Sequence, residues 1–388
     1  ASRNSSPRPP VRPKTMMVHA GHGPDPHTGA VNVPIYLSST FAQESPGVHK
    51  GYEYARTGNP TREALERHIA GLEGGVRGFA FASGMAAETT ILSLLSAGDH
   101  VIVGDDVYGG TYRVVERVFT RLGIRASYAD TSDIDDFASK FRPETRMVIM
   151  ESLTNPPMQI SDLKRIADIT HDAGALLGVD NTCLTPYFQQ PLLLGADIVV
   201  HSATKYLSGH SDVVAGLVVV RDEELGERLH FLQNAIGTVL GVQDSYLLLR
   251  GMKTLALRME AHAHNAQRIA EWLAEQPWVE RVLYPGLPNH PGRDILAQQA
   301  TGFGGMLSFD AGTPERAQRI VSNTKIFSLA ESLGGVESLI SIPALMTHAS
   351  IPAERRAALG ITDSLVRVSA GIEDVDDLID DLAQAAGE

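Results

Sequence analysis

The sequence predicts an α/β fold: a mostly parallel central sheet, followed by a smaller C-terminal α+β domain. Three observations carry that reading. Short apolar runs alternate with amphipathic segments from about residue 78 to residue 220, the rhythm of βαβ units. The runs are apolar throughout rather than alternating, as strands covered on both faces require. From about Glu223 the rhythm gives way to long helical stretches, with a few short strands beyond them. The expected division is an arm and extended segment over 1–50, a ligand-binding α/β domain over 51–245, and the α+β domain over 246–388.

Taken in order, Ala1 to Lys14 is rich in Ser, Pro and Arg and has no apolar centre, so it reads as a flexible arm rather than a signal peptide. Val31 to Tyr36 reads as extended, and Gly51 to Thr61 as a loop dense in turn formers and aromatics. Thr61 is expected to cap an amphipathic helix carrying Leu65, Ile69 and Leu72, with Glu63 and Glu66 near its start. Strands are predicted near Gly78–Ala82, Val101–Val103, Met147–Met150, Leu176–Val179, Ile198–Val200 and Gly216–Val220. Helices are predicted near Met85–Leu95, Thr111–Leu122 and Asp162–Asp172, and Leu247 to Gln276 is the clearest of the later helical stretches. Beyond Trp278, Arg281–Leu283, Gly305–Phe309 and Leu365–Ser369 read as strands, and Val375–Ala385 as a terminal amphipathic helix.

At 388 residues, with 43% hydrophobic and 20% charged residues, the composition is that of an ordinary globular protein with a sizeable core. No apolar run approaches the length that spans a bilayer, so no membrane partner is expected. A single cysteine, Cys183, leaves no intramolecular disulfide framework and fits a reducing cytoplasm. The net charge of -13 disfavours nucleic acid, because phosphate binding needs basic surface. There is no Walker loop, no Gly-x-Ser-x-Gly elbow and no metal-ligand spacing: His262 and His264 fall on different faces of a helical pattern, and His19 and His22 lie in a flexible stretch. An enzyme acting on a small molecule is the expected class.

Ligands of such sheets bind at the carboxyl ends of the strands. His201-Ser202-Ala203-Thr204-Lys205-Tyr206 follows the apolar run Ile198-Val199-Val200. Lysine rarely sits at the mouth of a buried strand unless its amine is used. A partly desolvated amine can deprotonate and attack a carbonyl to form a Schiff base, and the flanking Ser202 and Thr204 hydroxyls suit a phosphate. On this stretch alone, a solvent-facing lysine is the alternative. At Ser83-Gly84-Met85 a strand turns into a helix, whose free N–H groups and dipole make a phosphate cradle at Gly84 and Met85; a plain capped turn is the alternative.

Tyr108, beside Gly109-Gly110, can stack on a flat ring. Asp180 ends the strand Leu176–Val179, where a buried carboxylate needs a partner; a cationic ring nitrogen would serve, and capping the next helix is the alternative. The Asn155 amide, at a further strand end, can reach a ring hydroxyl. Together these residues meet the four requirements of pyridoxal 5′-phosphate: phosphate, ring face, ring nitrogen and aldehyde.

From about His19 to the carboxyl end, the sequence resembles the Cys/Met-metabolism family of fold-type I pyridoxal-phosphate enzymes, the cystathionine γ-synthases, cystathionine γ-lyases and methionine γ-lyases. The matching motifs are Tyr54-Ala55-Arg56-Thr57-Gly58-Asn59-Pro60-Thr61, Ser83-Gly84-Met85, Val179-Asp180-Asn181-Thr182, Ser202-Ala203-Thr204-Lys205-Tyr206, Ser332-Leu333-Gly334-Gly335-Val336-Glu337 and Met346-Thr347-His348. The resemblance implies that Lys205 holds the cofactor and shuttles protons, and that Tyr108 stacks on the ring and assists as acid or base. It implies that Asp180 pairs with the ring nitrogen, and that Gly84, Met85, Ser202 and Thr204 bind the phosphate. Tyr54 and Arg56 join them from a neighbouring subunit, which implies a dimer with shared sites, usually paired into a tetramer. Arg367 is implied to clamp the substrate α-carboxylate, with Ser332 and Asn155 positioning the reacting groups.

Glu53 and Glu331 match acidic positions typical of cystathionine-handling members, where a carboxylate suits a distal ammonium; surface ion pairs are the alternative. Gly110 stands where methionine γ-lyases usually place a cysteine. Cys183-Leu184, Thr238–Val242 and Glu151-Ser152-Leu153 depart from the common pattern. The implied activity is γ-elimination on a sulfur amino acid, with cystathionine γ-lyase preferred over cystathionine γ-synthase or a methionine γ-lyase-like enzyme. A catalytically silent fold used for binding is the competing class, and Lys205, Asp180, Tyr108 and Arg367 together argue against it. The expected partners are an amino-acid substrate and further copies of this chain.

Overall fold

The computed structural model describes residues 11–348 and 353–387, so most of the expected N-terminal arm, residues 1–10, lies outside the described residues. The remainder of that arm is not all coil, since a helix begins at its end and runs over Pro13–His19. Seven strands form the central sheet: β1 (Arg77–Phe81), β2 (His100–Gly104), β3 (Arg125–Ala129), β4 (Thr145–Glu151), β5 (Leu176–Asp180), β6 (Ile198–Ser202) and β7 (Gly216–Val220). Their spatial order is β1-β7-β6-β5-β4-β2-β3. All neighbours run parallel except β7, which is antiparallel to both β1 and β6.

Successive side chains of a strand point to opposite faces, and the core divides accordingly. Ile102, Val148, Met150, Val179 and Val199 join one buried cluster, while Val101, Val103, Met147, Ile149 and Val200 join another on the opposite face. Helix Gly84–Leu92 packs on the second face. By the same alternation, the strand-end residues Glu151, Asp180 and Ser202 emerge on that helix's side.

A second sheet holds β8 (Arg281–Leu283), β9 (Met306–Asp310), β10 (Ser328–Leu329), β11 (Leu339–Ser341) and β12 (Leu365–Ser369), in the order β10-β11-β12-β9-β8. Helices Leu255–Ala274, Pro314–Asn323 and Val375–Ala386 cover it around a cluster of Leu307, Phe309, Val366, Val368 and Leu378.

Several local expectations need correction. The helix expected to be capped by Thr61 runs over Pro60–Glu73 and is capped by Asn59, whose side chain accepts from the N–H groups of Thr61 at 2.9 Å and Arg62 at 3.3 Å. Asn59-Pro60 places a good cap before a residue with no N–H to satisfy. The Thr61 hydroxyl instead donates to the Pro34 carbonyl and accepts from Tyr36 N–H. That bond anchors the 31–36 segment, which joins no strand.

The expected helix over 111–122 starts as Gly109–Val114, then widens through Val115–Phe119 and tightens into a 3-10 turn at Thr120–Leu122. The single expected helix from Leu247 to Gln276 is two, Val242–Met252 and Leu255–Ala274. The break lets Arg258 fold back onto the Gly251 carbonyl at 2.7 Å. β3 gave no apolar run because it is a sheet edge, with Arg125 exposed and Ala126, Ser127 and Tyr128 only half-buried.

Candidate active site

The strand ends β4, β5 and β6 and the start of helix Gly84–Leu92 enclose a cavity of about 320 Å³. After Ser202 the chain winds into a tight turn, with Ser208 N–H bonded to the Ala203 carbonyl and Gly209 N–H to that of Lys205. The buried Arg258 guanidinium caps this turn, donating to the carbonyls of Tyr206 at 2.6 Å and Leu207 at 3.4 Å. Lys205 is thereby presented from a braced backbone, and its Nζ donates to Ser332 Oγ at 3.0 Å. Burial, then the nearby Arg367 cation, hold the amine below the usual lysine range. A lysine poised this way reaches its neutral, nucleophilic form more readily than one in water.

Gly84, Met85, Tyr108, Asn155, Asp180, Ser202, Thr204 and Lys205 all line the cavity. The structure therefore brings together eight residues predicted from widely separated motifs. Ser83 caps helix Gly84–Leu92 by accepting from Ala86 N–H at 3.0 Å, and the earlier N–H groups of the turn have no partner within the helix. A Cβ at position 84 would lie 3.2 Å from Ser202 Cβ and 3.3 Å from its Oγ, so glycine keeps this cradle open. The Thr204 hydroxyl lines the cavity but is already engaged by the Ala215 backbone, accepting its N–H at 3.1 Å.

Asp180 Oδ1 accepts Thr182 N–H at 2.8 Å. Two buried polar atoms of the lining, Asn155 Oδ1 and Glu88 Oε2, have no hydrogen-bond partner among the described residues. An anion cradle, a buried carboxylate, a depressed lysine amine and unsatisfied polar atoms are what a phosphorylated cationic ring with an aldehyde requires. The residues present fit pyridoxal 5′-phosphate.

Arg367 lies on β12 and is 4% exposed; its Nη2 donates to the Ser332 carbonyl at 2.9 Å, and burial brings the guanidinium down to about 10. Ser332, with its hydroxyl at Lys205 and its carbonyl at Arg367, joins the second sheet to the cavity. Glu331 is exposed beside it, and its charge acts on both Lys205 and Arg367. The structure does not bring Glu53, Tyr54 or Arg56 to the cavity of their own chain. Tyr54 is 48% exposed, Arg56 Nη1 donates to the Asn234 carbonyl at 2.5 Å, and Glu53 lies 3.3 Å from His49 Nε2.

The sequence reading missed Glu88 and Glu151 as cavity residues. Burial, then the charge of Asp180, raise Glu88 to about 8, and the same two causes push Glu151 well above the carboxylate range. The signals were present. Glu88 follows Gly84 by four residues on one helix, and Glu151 ends a buried strand as Asp180 does.

The model of the family described as Cys/Met metabolism PLP-dependent enzyme matches residues 14–386. The chain belongs to that family. Pyridoxal 5′-phosphate is its cofactor. Within the family the chain is 58% identical over 375 residues to a cystathionine γ-lyase of Bacillus subtilis, covering 97% of this chain and 99% of that protein. It is 55% identical over 372 residues to a cystathionine β-lyase of Lactococcus lactis subsp. cremoris, covering 96% and 98%. The crystal structure of cystathionine γ-lyase from Lactobacillus plantarum complexed with L-serine superposes with a TM-score of 0.95 at 49% identity, covering 97% of this chain and 98% of that one. Other relatives in the family are cystathionine γ-synthases.

The fold is thus that of the family's α/β enzymes, as the sequence predicted, and the chain is a carbon–sulfur lyase or synthase of cystathionine type. Among the described residues, no helix is long and apolar enough to cross a membrane.

Proposed function

We propose that this family member is a cystathionine γ-lyase, converting L-cystathionine and water to cysteine, 2-oxobutanoate and ammonia. The observation that carries the substrate is Glu331, a carboxylate beside Ser332 whose charge acts on both Lys205 and Arg367. With Arg367 as the group that takes the reacting α-carboxylate, an exposed acidic group beside Ser332 suits the distal ammonium of cystathionine, which methionine lacks. The choice of the γ carbon is supported by the γ-lyases among its relatives.

The bound cofactor supplies an electron sink for the bonds at the substrate Cα. Asp180, whose Oδ1 accepts the Thr182 N–H, would pair with its ring nitrogen. Lys205 Nζ is the base for both substrate protons, one at a time: it takes the proton from Cα, gives it up and is neutral again before it takes one from Cβ, so that cysteine leaves from Cγ. The Ser332 hydroxyl holds that amine in place between the two transfers. Tyr108, which lines the cavity and is half-exposed, would stack on the ring face and assist proton transfer to the departing sulfur.

The second reading is γ-replacement, in which cysteine adds at Cγ of an O-acylhomoserine, and its first half uses the same residues. A product survey separates these outcomes. With L-cystathionine, the wild-type protein is expected to release 2-oxobutanoate and cysteine. Pyruvate and homocysteine in their place would establish β-elimination, and rapid turnover only of O-acylhomoserine plus cysteine would establish a synthase.

We further propose a dimer in which Tyr54 and Arg56 enter the cavity of a neighbouring copy, two such dimers pairing as a tetramer. Their exposure and distance from their own cavity support this arrangement. A cytoplasmic location is supported by the single cysteine, which is buried and unpaired.

A further inference from the structure

Glu151 ends β4 and Asp180 ends β5, and the two are register partners in this parallel pair. Adjacent strands lie about 4.8 Å apart and in-register residues share a face, so two carboxyl groups enter the ring cavity side by side. Two such groups out of water do not both ionise. Their surroundings decide which one carries the charge. Burial raises the Asp180 carboxyl above the usual range, but Asp180 accepts the Thr182 N–H and lies near Lys205, two features that counter part of that effect. Glu151 faces Asp106 on the loop after β2, Glu88 on helix Gly84–Leu92 and the Cys183 thiol, and none of these favours an anion. Of the two, Asp180 has the surroundings that favour the charge and Glu151 those that favour the proton.

Glu151 Oε1 nevertheless makes one specific bond, accepting Tyr108 N–H at 2.8 Å. Tyr108 needs such a bond. Its side chain is 48% exposed, so burial does little to orient it, and it begins helix Gly109–Val114 without a side-chain cap. On its other side the ring lies against Gly110, where a Cβ would come within 2.4 Å of Tyr108 Cε1.

We propose that Glu151 is a positioning residue for Tyr108, holding the Tyr108 amide so that the ring between it and Gly110 covers the cofactor. The role requires an acceptor and not a charge. It rests on the family's cofactor and holds whichever cystathionine reaction the enzyme runs.

The test compares Glu151→Gln, which keeps an acceptor, with Glu151→Leu, which does not. In the apoprotein, hydrogen exchange at the Tyr108 amide should be about tenfold faster in Glu151→Leu than in wild type. Glu151→Gln should restore slow exchange. In the holoenzyme, Glu151→Leu should lose cofactor on dialysis and alter the visible circular dichroism of the bound ring, and Glu151→Gln should recover both. Unchanged Tyr108 exchange in Glu151→Leu would overturn the proposal, as would a Glu151→Gln variant no better than Glu151→Leu. If Glu151→Leu fails to fold, Glu151→Gln decides alone, and Tyr108 exchange faster than wild type refutes the idea. A wrong assignment of the reaction appears instead as different products from the wild-type enzyme, with these exchange rates unmoved.

Discussion

Lys205 Nζ donates to Ser332 Oγ at 3.0 Å, a bond that joins the end of β6 to a loop 127 residues away. Ser332 holds a positive φ of 90°, a region that disfavours any residue with a Cβ, and its carbonyl receives Arg367. One strained residue therefore sets the amine relative to the guanidinium.

Replacing Ser332 separates the strain from the bond. Ser332→Ala and Ser332→Gly both lose the hydroxyl, and only glycine accepts the backbone angle freely. Ser332→Gly should be more stable than Ser332→Ala by about 1 kcal/mol in urea denaturation. Both variants should fall about tenfold in kcat/KM, because Lys205 loses its acceptor. Equal stabilities would show that the angle costs nothing.

Glu88 predicts a pH dependence. Its folded carboxyl titrates at about 8 against an ordinary 4.5, because it is buried and beside Asp180. Between these values the folded protein binds more protons than the unfolded chain, so this contribution falls as pH rises through that window. In the apoprotein, Glu88→Gln should lose less stability than wild type on going from acidic to alkaline pH. Parallel curves from thermal unfolding across that range would contradict a protonated Glu88.

Glu331 predicts specificity. Glu331→Val should lower kcat/KM for L-cystathionine roughly tenfold more than for methionine, which has no distal ammonium to lose. Equal losses on both substrates would remove the reason for assigning a distal amine site.

Shared sites predict complementation. Lys205→Ala should be inactive and should lack the visible absorbance of the lysine-bound cofactor, and Arg56→Ala should bind the phosphate weakly. In a mixed dimer with Tyr54 and Arg56 crossing between copies, one site receives both defects and the other neither. Co-expression should therefore restore activity to about a quarter of wild type. Mixed oligomers with no more activity than their parents would place each site within one chain.

Strands β1, β2, β4, β5, β6 and β7 were legible because a doubly covered sheet demands continuous apolar runs, a demand each segment meets by itself. β10 and β11, of two and three residues, carry no pattern, and β3 has a half-exposed face. Helix Pro60–Glu73 was legible from its apolar stripe but its cap was not: Thr61 was expected there, and the folded geometry gives the role to Asn59. The cavity's lysine, aspartate, glycine turn and tyrosine could each be read from a strand end. Arg367 and Ser332 came only through family resemblance, because nothing local on β12 announces that its arginine reaches Lys205's partner.

By itself the sequence determined the α/β class, the strand-end chemistry and the cofactor that this chemistry fits, because periodicity and residue type are local properties. The tertiary structure alone decided which carboxyls share the cavity. The β4–β5 register sets Glu151 beside Asp180, and the packing of helix Gly84–Leu92 adds Glu88. Which carboxyl ionises follows from burial and neighbouring charge, quantities that exist only once distant segments have met.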